Sequence, residues 1–396
     1  MNECELTAIH DAAARCIECG ICETVQDEGC GCTPGMWGPF ARHLAEEAAR
    51  GPIDSATERL LFTCSLCDGC TQACPVDISA ANIVREGRRA FHGQHSSARE
   101  RWRPMMVDLA GNSFARLRAW RDISYDDAAL DPHQPCASLF FPGCTLSTYS
   151  PELTMATFDY LASRHLADGM TALCCGNPLW GLGLKERGDT YANALSERLA
   201  MLGTKYIIAG CPNCYRALRQ SQANGLIAKD IEISALPQVL VDAGARIPAE
   251  RSIAPNAETF CVYDSCSDRA TRAFGNAVRA LLPPGSWREM QHAGEDALCC
   301  GSGGMVSFYD VSVCQTRRTR CVGEFRETNA DCLVTACVSC TNSMLRSGTP
   351  VSAHHYLELL FDTPIRWEAH RAASIELAQS DERNGMPAGL NDPILP

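Results

Sequence analysis

The run Thr63-Cys64-Ser65-Leu66-Cys67-Asp68-Gly69-Cys70-Thr71-Gln72-Ala73-Cys74-Pro75 spaces four cysteines as C-x2-C-x2-C-x3-C with a proline behind the last. Three thiolates on one tight turn reach three corners of a single iron–sulfur cube, while the fourth points toward a neighbouring one. Zinc sites instead pair two C-x2-C knuckles across a longer gap. The chemistry on offer is one-electron transfer at a [4Fe–4S] cluster. A second triplet, Cys16-Ile17-Glu18-Cys19-Gly20-Ile21-Cys22, has a late fourth partner, either Cys30 or Cys32. The proline at position 34 favours Cys32, because such motifs carry a proline soon after the last ligand.

Two interleaved triplets follow the crossed pattern of two-cluster ferredoxins. In that pattern Cys16, Cys19, Cys22 and Cys74 hold one cubane, and Cys64, Cys67, Cys70 and Cys32 hold the other, close enough for fast electron hopping. Between the triplets, Ala41–Arg50 and Ala56–Leu61 have helical character, with Asp54-Ser55 as a cap for the second run. The spacing therefore predicts an all-helical cluster domain over residues 1–95.

The rest of the chain repeats itself. One copy has Phe141-Pro142-Gly143-Cys144, Ala172-Leu173-Cys174-Cys175-Gly176 and Gly210-Cys211-Pro212-Asn213-Cys214. The other has Tyr263-Asp264-Ser265-Cys266, Ala297-Leu298-Cys299-Cys300-Gly301 and Ala336-Cys337-Val338-Ser339-Cys340, each element 122 to 126 residues later. Short apolar runs precede the cysteines: 137–141, 206–209, 260–263 and 332–335. They read as buried strands. Helical segments at 152–163, 190–202, 268–281 and 311–327 alternate with them, which predicts two α/β units with parallel sheets and cysteines at strand C-termini. A helix starting at Cys211 and Cys214 favours thiolates. Five thiolates per copy, two of them adjacent, exceed what one cube needs, so each copy is expected to hold an unusual cluster.

Composition narrows the function. The 25 cysteines fall in tight clusters in a chain whose N-terminus lacks the pattern of a secretory signal, which points to metal in a reducing cytoplasm and away from disulfides. A net charge of -12 argues against nucleic acid as the main partner. No apolar run is long enough to span a membrane. Residues 85–121 stand apart: nine arginines face Glu86, Glu100 and Asp108, with Trp102, Phe114 and Trp120 interleaved. They form either a surface for a partner subunit or an anionic membrane face, or a linker whose arginines pair with acidic residues of the next domain.

The doubled pattern C-x29–32-C-C-G-x34–35-C-x2-C resembles the cysteine-rich CCG domain of heterodisulfide reductase. With a ferredoxin module in front, residues 12–362 are similar to its fused D subunit. They are similar in the same way to the C subunit of anaerobic glycerol-3-phosphate dehydrogenase and to the iron–sulfur subunits of glycolate and lactate oxidation. The chain departs from the family at Ser267, where histidine is common, and in the long gap before Cys32. The resemblance implies an α+β multidomain protein: a ferredoxin-type domain at 1–95, a basic linker at 96–134, CCG domains at 135–250 and 255–365, and a tail at 366–396. It implies two noncubane [4Fe–4S] clusters beside the two cubanes. One would be held by Cys144, Cys174, Cys175, Cys211 and Cys214, the other by Cys266, Cys299, Cys300, Cys337 and Cys340. Cys144, Cys174, Cys175, Cys266, Cys299 and Cys300 are the catalytic candidates.

Two functions then compete. In the first, an oxidoreductase subunit of anaerobic metabolism passes electrons from a flavoprotein or other redox subunit through the cubanes to a thiol or disulfide substrate held between the two CCG copies. In the second, a relay subunit carries electrons from a flavin-dependent dehydrogenase to membrane quinone. The expected location is cytoplasmic, with peripheral contact at the inner face of the cell membrane in the second reading. A zinc scaffold without redox role is the third class. Of the seven other cysteines, Cys4, Cys30, Cys136, Cys261, Cys314, Cys321 and Cys332, most are read as structural, and Cys261 and Cys332 as buried in strands. His355 is either a core histidine or a donor to a cluster. The stretch 301–304 is read as backbone close to a cluster, and 379–396 as a flexible end or docking arm.

Overall fold

The computed structural model describes residues 6–27, 30–32, 34–130, 135–384 and 391–395. Among them no strand precedes Ser138. The N-terminal part is built from helices Thr7–Arg15, Ile21–Asp27, Trp37–Arg50, Ser55–Thr63, Gly69–Ala73 and Ala80–Gln94. Their apolar faces meet in a core of Ile9, Ala41, Leu44, Leu61, Ile83 and Val84, all buried, which is what drives short helices to form at all. Asp54 caps the Ser55–Thr63 helix, accepting from Ala56 N at 2.9 Å and Thr57 N at 2.8 Å. The first helix is capped from a distance: the Glu86 carboxylate accepts from Ala8 N and Ile9 N, both at 3.0 Å.

Two parallel sheets follow, of identical topology. In the first, β1 (Ser138–Phe141), β2 (Gly169–Met170), β3 (Tyr206–Ala209) and β4 (Glu232–Ala235) lie in the order β2-β1-β3-β4. In the second, β5 (Phe260–Tyr263), β6 (Trp287–Arg288), β7 (Cys332–Thr335) and β8 (Ala353–His355) lie in the order β6-β5-β7-β8. Register repeats as well, with Phe141 opposite Ala209 in one sheet and Tyr263 opposite Thr335 in the other. The central strands are buried almost throughout, as expected where helices cover both faces of a parallel sheet. The segment expected as a helix over 268–281 is shorter, a 3-10 turn at Cys266–Asp268 and then Ala273–Leu281. Asp268 is the cause: its carboxylate accepts from Phe274 N and Gly275 N and restarts the chain as a new helix.

Two other expectations are resolved here. Each described arginine side chain between 85 and 121 has a partner within the molecule. Arg89 pairs with Glu186 and Arg116 with Asp381, Arg118 and Arg121 donate to Thr148, and Arg101 lies over the Tyr309 ring. These contacts support the reading in which the arginines pair with other parts of the chain. The tail is not a free arm: Trp367–Asn384 is a helix, and Pro393 bridges Leu109 with Leu395 buried. Residues 385–390 and Cys4 lie outside the described residues. No helix among the described residues is long and apolar enough to cross a membrane.

Candidate functional site

The two N-terminal cysteine triplets sit on loops of the same conformation. Counting from the first cysteine of each, the second and fourth following residues adopt the left-handed region: Glu18 and Gly20 in one loop, Leu66 and Asp68 in the other. Three of these four carry side chains, a costly choice that persists only where the surroundings demand it. Here, in the first loop, it gathers Cys16, Cys19 and Cys22 around one cleft.

Cys16, Cys19, Cys22 and Cys74 line one narrow cleft, joined there by Cys70. Cys67 and Cys70 line a second cavity, of about 520 Å³, together with Cys30 and Cys299. Cys64 is absent from that lining. It is hydrogen-bonded to Cys32, which is hydrogen-bonded in turn to Cys30. Both candidates for the late ligand therefore reach the same place. Hydrogen bonding from Cys32, against the effect of burial and with help from Arg317, pulls the Cys30 thiol down to about 6.

The ten cysteines of the α/β copies form one connected group. The positions match expectation: Cys144 and Cys266 follow β1 and β5, and Cys211 and Cys337 end the loops after β3 and β7 to cap helices Pro212–Ala223 and Val338–Leu345. The cysteine pairs turn on Gly176 and Gly301, whose φ of +79° and +80° a side chain would resist. Cys174 Sγ lies 3.9 Å from Cys144 Sγ, and Cys300 Sγ lies 3.2 Å from Cys340 Sγ. Cys175 is hydrogen-bonded to Cys174 and Cys214, which hold its thiol well below the usual range. Cys211 is lowered in the same way by Cys214 and by Cys337 of the other copy. The two five-cysteine sets thus touch. Nine of the ten line one cavity of about 640 Å³, with Cys314, Arg216, Arg318, Arg346 and Tyr149 in its wall.

The tenth, Cys299, faces the other way. It lines the second cavity with Cys67 of the N-terminal loop, and neighbouring Cys266 of its own copy raises its thiol. Sequence spacing placed Cys299 with its copy but carried no sign of this second contact. The glycine-rich stretch 301–304 lies against the same loop: a Cβ at Gly304 would sit 2.4 Å from Cys64 O. The stretch read as backbone close to a cluster thus lies against the cysteine-bearing loop itself.

Side chains that sequence reasoning did not single out complete the region. Arg317 donates to Thr63 O at 2.8 Å, to Ser65 Oγ, and to the carbonyl and thiol of Cys30. Burial works against its charge, but the surrounding thiols, Cys30 foremost, raise it further. Arg88 donates to Leu61 O, Cys64 O and Gly181 O, and burial lowers it only to about 10, so it stays a cation near neutrality. His355 is a core residue. It caps the Tyr356–Phe361 helix through Leu357 N, with Glu358 returning the bond. Burial pushes it down to about 4. Cys261 and Cys332 are buried in strands.

The donor set fits iron–sulfur clusters. Among the described residues no three Cys, His, Asp or Glu side chains close on a single ion, whereas nine cysteines line the cavity of about 640 Å³ and four that of about 520 Å³. Main-chain N–H groups aim at sulfur as they do at thiolates: Leu66 N to Cys64 at 3.5 Å, Ile78 N to Cys74 at 3.4 Å, and Gly301 N to Cys299 at 3.3 Å.

Comparison with known proteins agrees with the repeat. The cysteine-rich domain family model matches residues 138–219 and again 260–345. The chain is 26% identical over 309 residues to the D subunit of the dihydromethanophenazine:CoB–CoM heterodisulfide reductase of Methanosarcina barkeri, covering 71% of each chain. It is 22% identical over 368 residues to the B subunit of the CoM/CoB fumarate reductase of Methanothermobacter marburgensis, 87% of this chain and 71% of that one. A solved glutamate racemase from Bacillus anthracis is similar at 11% identity with a TM-score of 0.30, over 66% of this chain and 86% of that one, too slight for any inference. The chain carries two cysteine-rich CCG domains and is a homologue of the D subunit of heterodisulfide reductase and the B subunit of fumarate reductase, both parts of oxidoreductases.

Proposed function

We propose that this chain is the electron-transferring subunit of an oxidoreductase that reduces or oxidises a disulfide–thiol couple in the cavity shared by its two CCG domains. Cys16, Cys19, Cys22 and Cys74 would hold one [4Fe–4S] cubane. Cys64, Cys67 and Cys70, with Cys32 or Cys30, would hold a second. Each five-cysteine set would hold a noncubane cluster. Bound there, such clusters supply one-electron storage and transfer at potentials the protein sets.

One observation carries the reading: Cys67 of the N-terminal loop and Cys299 of the second copy line one cavity, and nine cysteines of the two CCG sets, Cys211, Cys266 and Cys337 among them, line the next. The chain's own residues then have defined tasks. The N-terminal helices hold the loops rigid, and Arg88 and Arg317 supply positive charge to the inner one. The cavity between Cys144, Cys174 and Cys300 presents sulfur from both copies to a single guest. Reducing RS–SR′ to two thiols takes two electrons and two protons. A flavoprotein or other redox subunit is the proposed electron source, and solvent reaching the cavity supplies the protons.

Anaerobic purification followed by iron and acid-labile sulfide analysis tests the assignment. About sixteen irons per chain, four clusters of four, is the expected result. About eight would leave the CCG copies empty and favour the relay to quinone. Zinc in place of iron would overturn both readings.

A further inference from the structure

The two N-terminal cysteine loops share a backbone but not an electrostatic setting. Arg88, Arg317 and Arg269 converge on residues 61–67 and are 0%, 1% and 7% exposed. Arg88 comes from the N-terminal part, while Arg269 and Arg317 come from the second CCG domain. Arg269 donates to Cys67 O at 3.4 Å and to Ala297 O at 2.6 Å. The acceptors of all three are main-chain carbonyls, a hydroxyl and a thiol, and among the described residues no carboxylate pairs with them. At the other loop the neighbouring cations are Arg15 and Arg42. These pair with Asp11 and Glu18, and all four side chains are 41% to 48% exposed.

Buried guanidiniums without a counter-ion are strongly disfavoured. Three around one loop point to an anion that the loop holds, and a four-thiolate iron–sulfur cluster is such an anion. Its negative charge grows by one on reduction, so nearby cations favour the reduced form. Burial acts the other way, because it disfavours the more highly charged state, and potentials follow from both effects. Left to burial alone, the inner loop, with Cys64 and Cys70 at 8% and 9% exposure, would hold the lower potential. Its three cations reverse that order.

We propose that Arg88, Arg269 and Arg317 lift the potential of the cluster in the Cys64–Cys70 loop above that of the Cys16–Cys22 loop. Electrons then run inward, one leaving the exposed loop's cluster and one entering the buried loop's, toward the Cys67–Cys299 contact. The electron source is the reduced redox partner, which meets the exposed loop, where Cys19, Ile17 and Ile21 face solvent. This rests on the two-cubane reading above, and the experiment separates the two.

The test is an EPR-monitored potentiometric titration of the full chain, with iron and sulfide measured first for every variant. Wild type is expected to give two resolved cubane waves. Arg317→Gln is expected to move the higher wave negative by a tenfold or larger change in the one-electron equilibrium constant, about 59 mV. Arg317→Lys keeps the charge and should restore most of the shift, while Arg42→Gln should move neither wave. Should Arg317→Gln lose iron, Arg269→Gln, whose acceptors are two carbonyls, is read in its place with the same expected sign. Wild-type protein without cubane iron overturns the cluster reading itself. Full iron with an unmoved wave, or with the lower wave moving instead, overturns the potential assignment alone.

Discussion

The two CCG domains have one sheet order and one set of five cysteine positions, yet they differ where the strands end. Before its first cysteine the first copy carries Pro142-Gly143; the second carries Asp264-Ser265. Asp264 is buried and accepts both 2.8 Å bonds of a forked Arg279 guanidinium, which also pairs with Glu289. The helix after the fourth strand has Ala235 at its N-cap, without a side-chain bond, in the first copy, and His355, with a capping box, in the second. Both copies send an arginine to the N-terminal loop, Arg216 to the Asp68 carboxylate and Arg317 to Thr63 O, but among the described residues the second copy alone adds a cysteine, Cys299, which lines a cavity with Cys67. The repeat has kept what positions sulfur. What differs is the polar framework, including where the second copy meets the N-terminal loop.

The sharpest way to break this comparison is to remove one ligand from each copy. Cys175→Ser and Cys300→Ser are each expected to lower disulfide reduction at least about 100-fold, beyond the usual loss from a supporting residue. If both copies serve one guest, the losses match; if one variant keeps near wild-type turnover, its copy is not part of the site. Next in size, Arg279→Met leaves Asp264 buried without its partner. The expected cost is about 3–5 kcal/mol in urea unfolding, and it should fall on the second copy with the first unchanged.

His355→Ala probes the cap that the first copy lacks. Loss of about 0.5–2 kcal/mol is expected, along with a change in acid sensitivity whose sign follows from linkage. The folded histidine titrates near 4, below its unfolded value of about 6.5. The unfolded chain therefore takes up the proton first. Stability is full above about pH 6.5 and falls as the pH drops toward 4, then levels off. His370, also pushed down to about 4 by burial, adds to the same slope, so His355→Ala should flatten the unfolding profile in part. The smallest effect is expected at Ser343, whose hydroxyl donates to Cys300 O at 2.6 Å. Ser343→Ala should cost about 1 kcal/mol with no loss of iron.

Much of this architecture is legible in the sequence, for identifiable reasons. The central strands β1, β3, β5 and β7 announce themselves as short apolar runs because both faces of a parallel sheet are covered. The cysteine clusters announce themselves by their tight, repeated spacing. The basic segment and the tail could not be decided in the same way. Arg116 meets Asp381 across 265 positions, and nothing near Arg116 in the chain marks that pairing. The inner loop's charges are hidden for the same reason. Arg317 lies on a helix whose outward pattern looks ordinary, and only the packing of that helix on Thr63 and Ser65 gives it a role. The contact between Cys67 and Cys299 joins two motifs that each look complete alone.

The central claim is that both CCG copies act on one thiol or disulfide guest in their shared cavity. It is met most directly by EPR of reconstituted, anaerobic protein before and after adding a thiol and then the matching disulfide. The expected result is a new signal on thiol addition that disappears in both Cys175→Ser and Cys300→Ser, while the cubane signals persist. Spectra that stay indifferent to thiol and disulfide, in protein with its full iron, would contradict the claim.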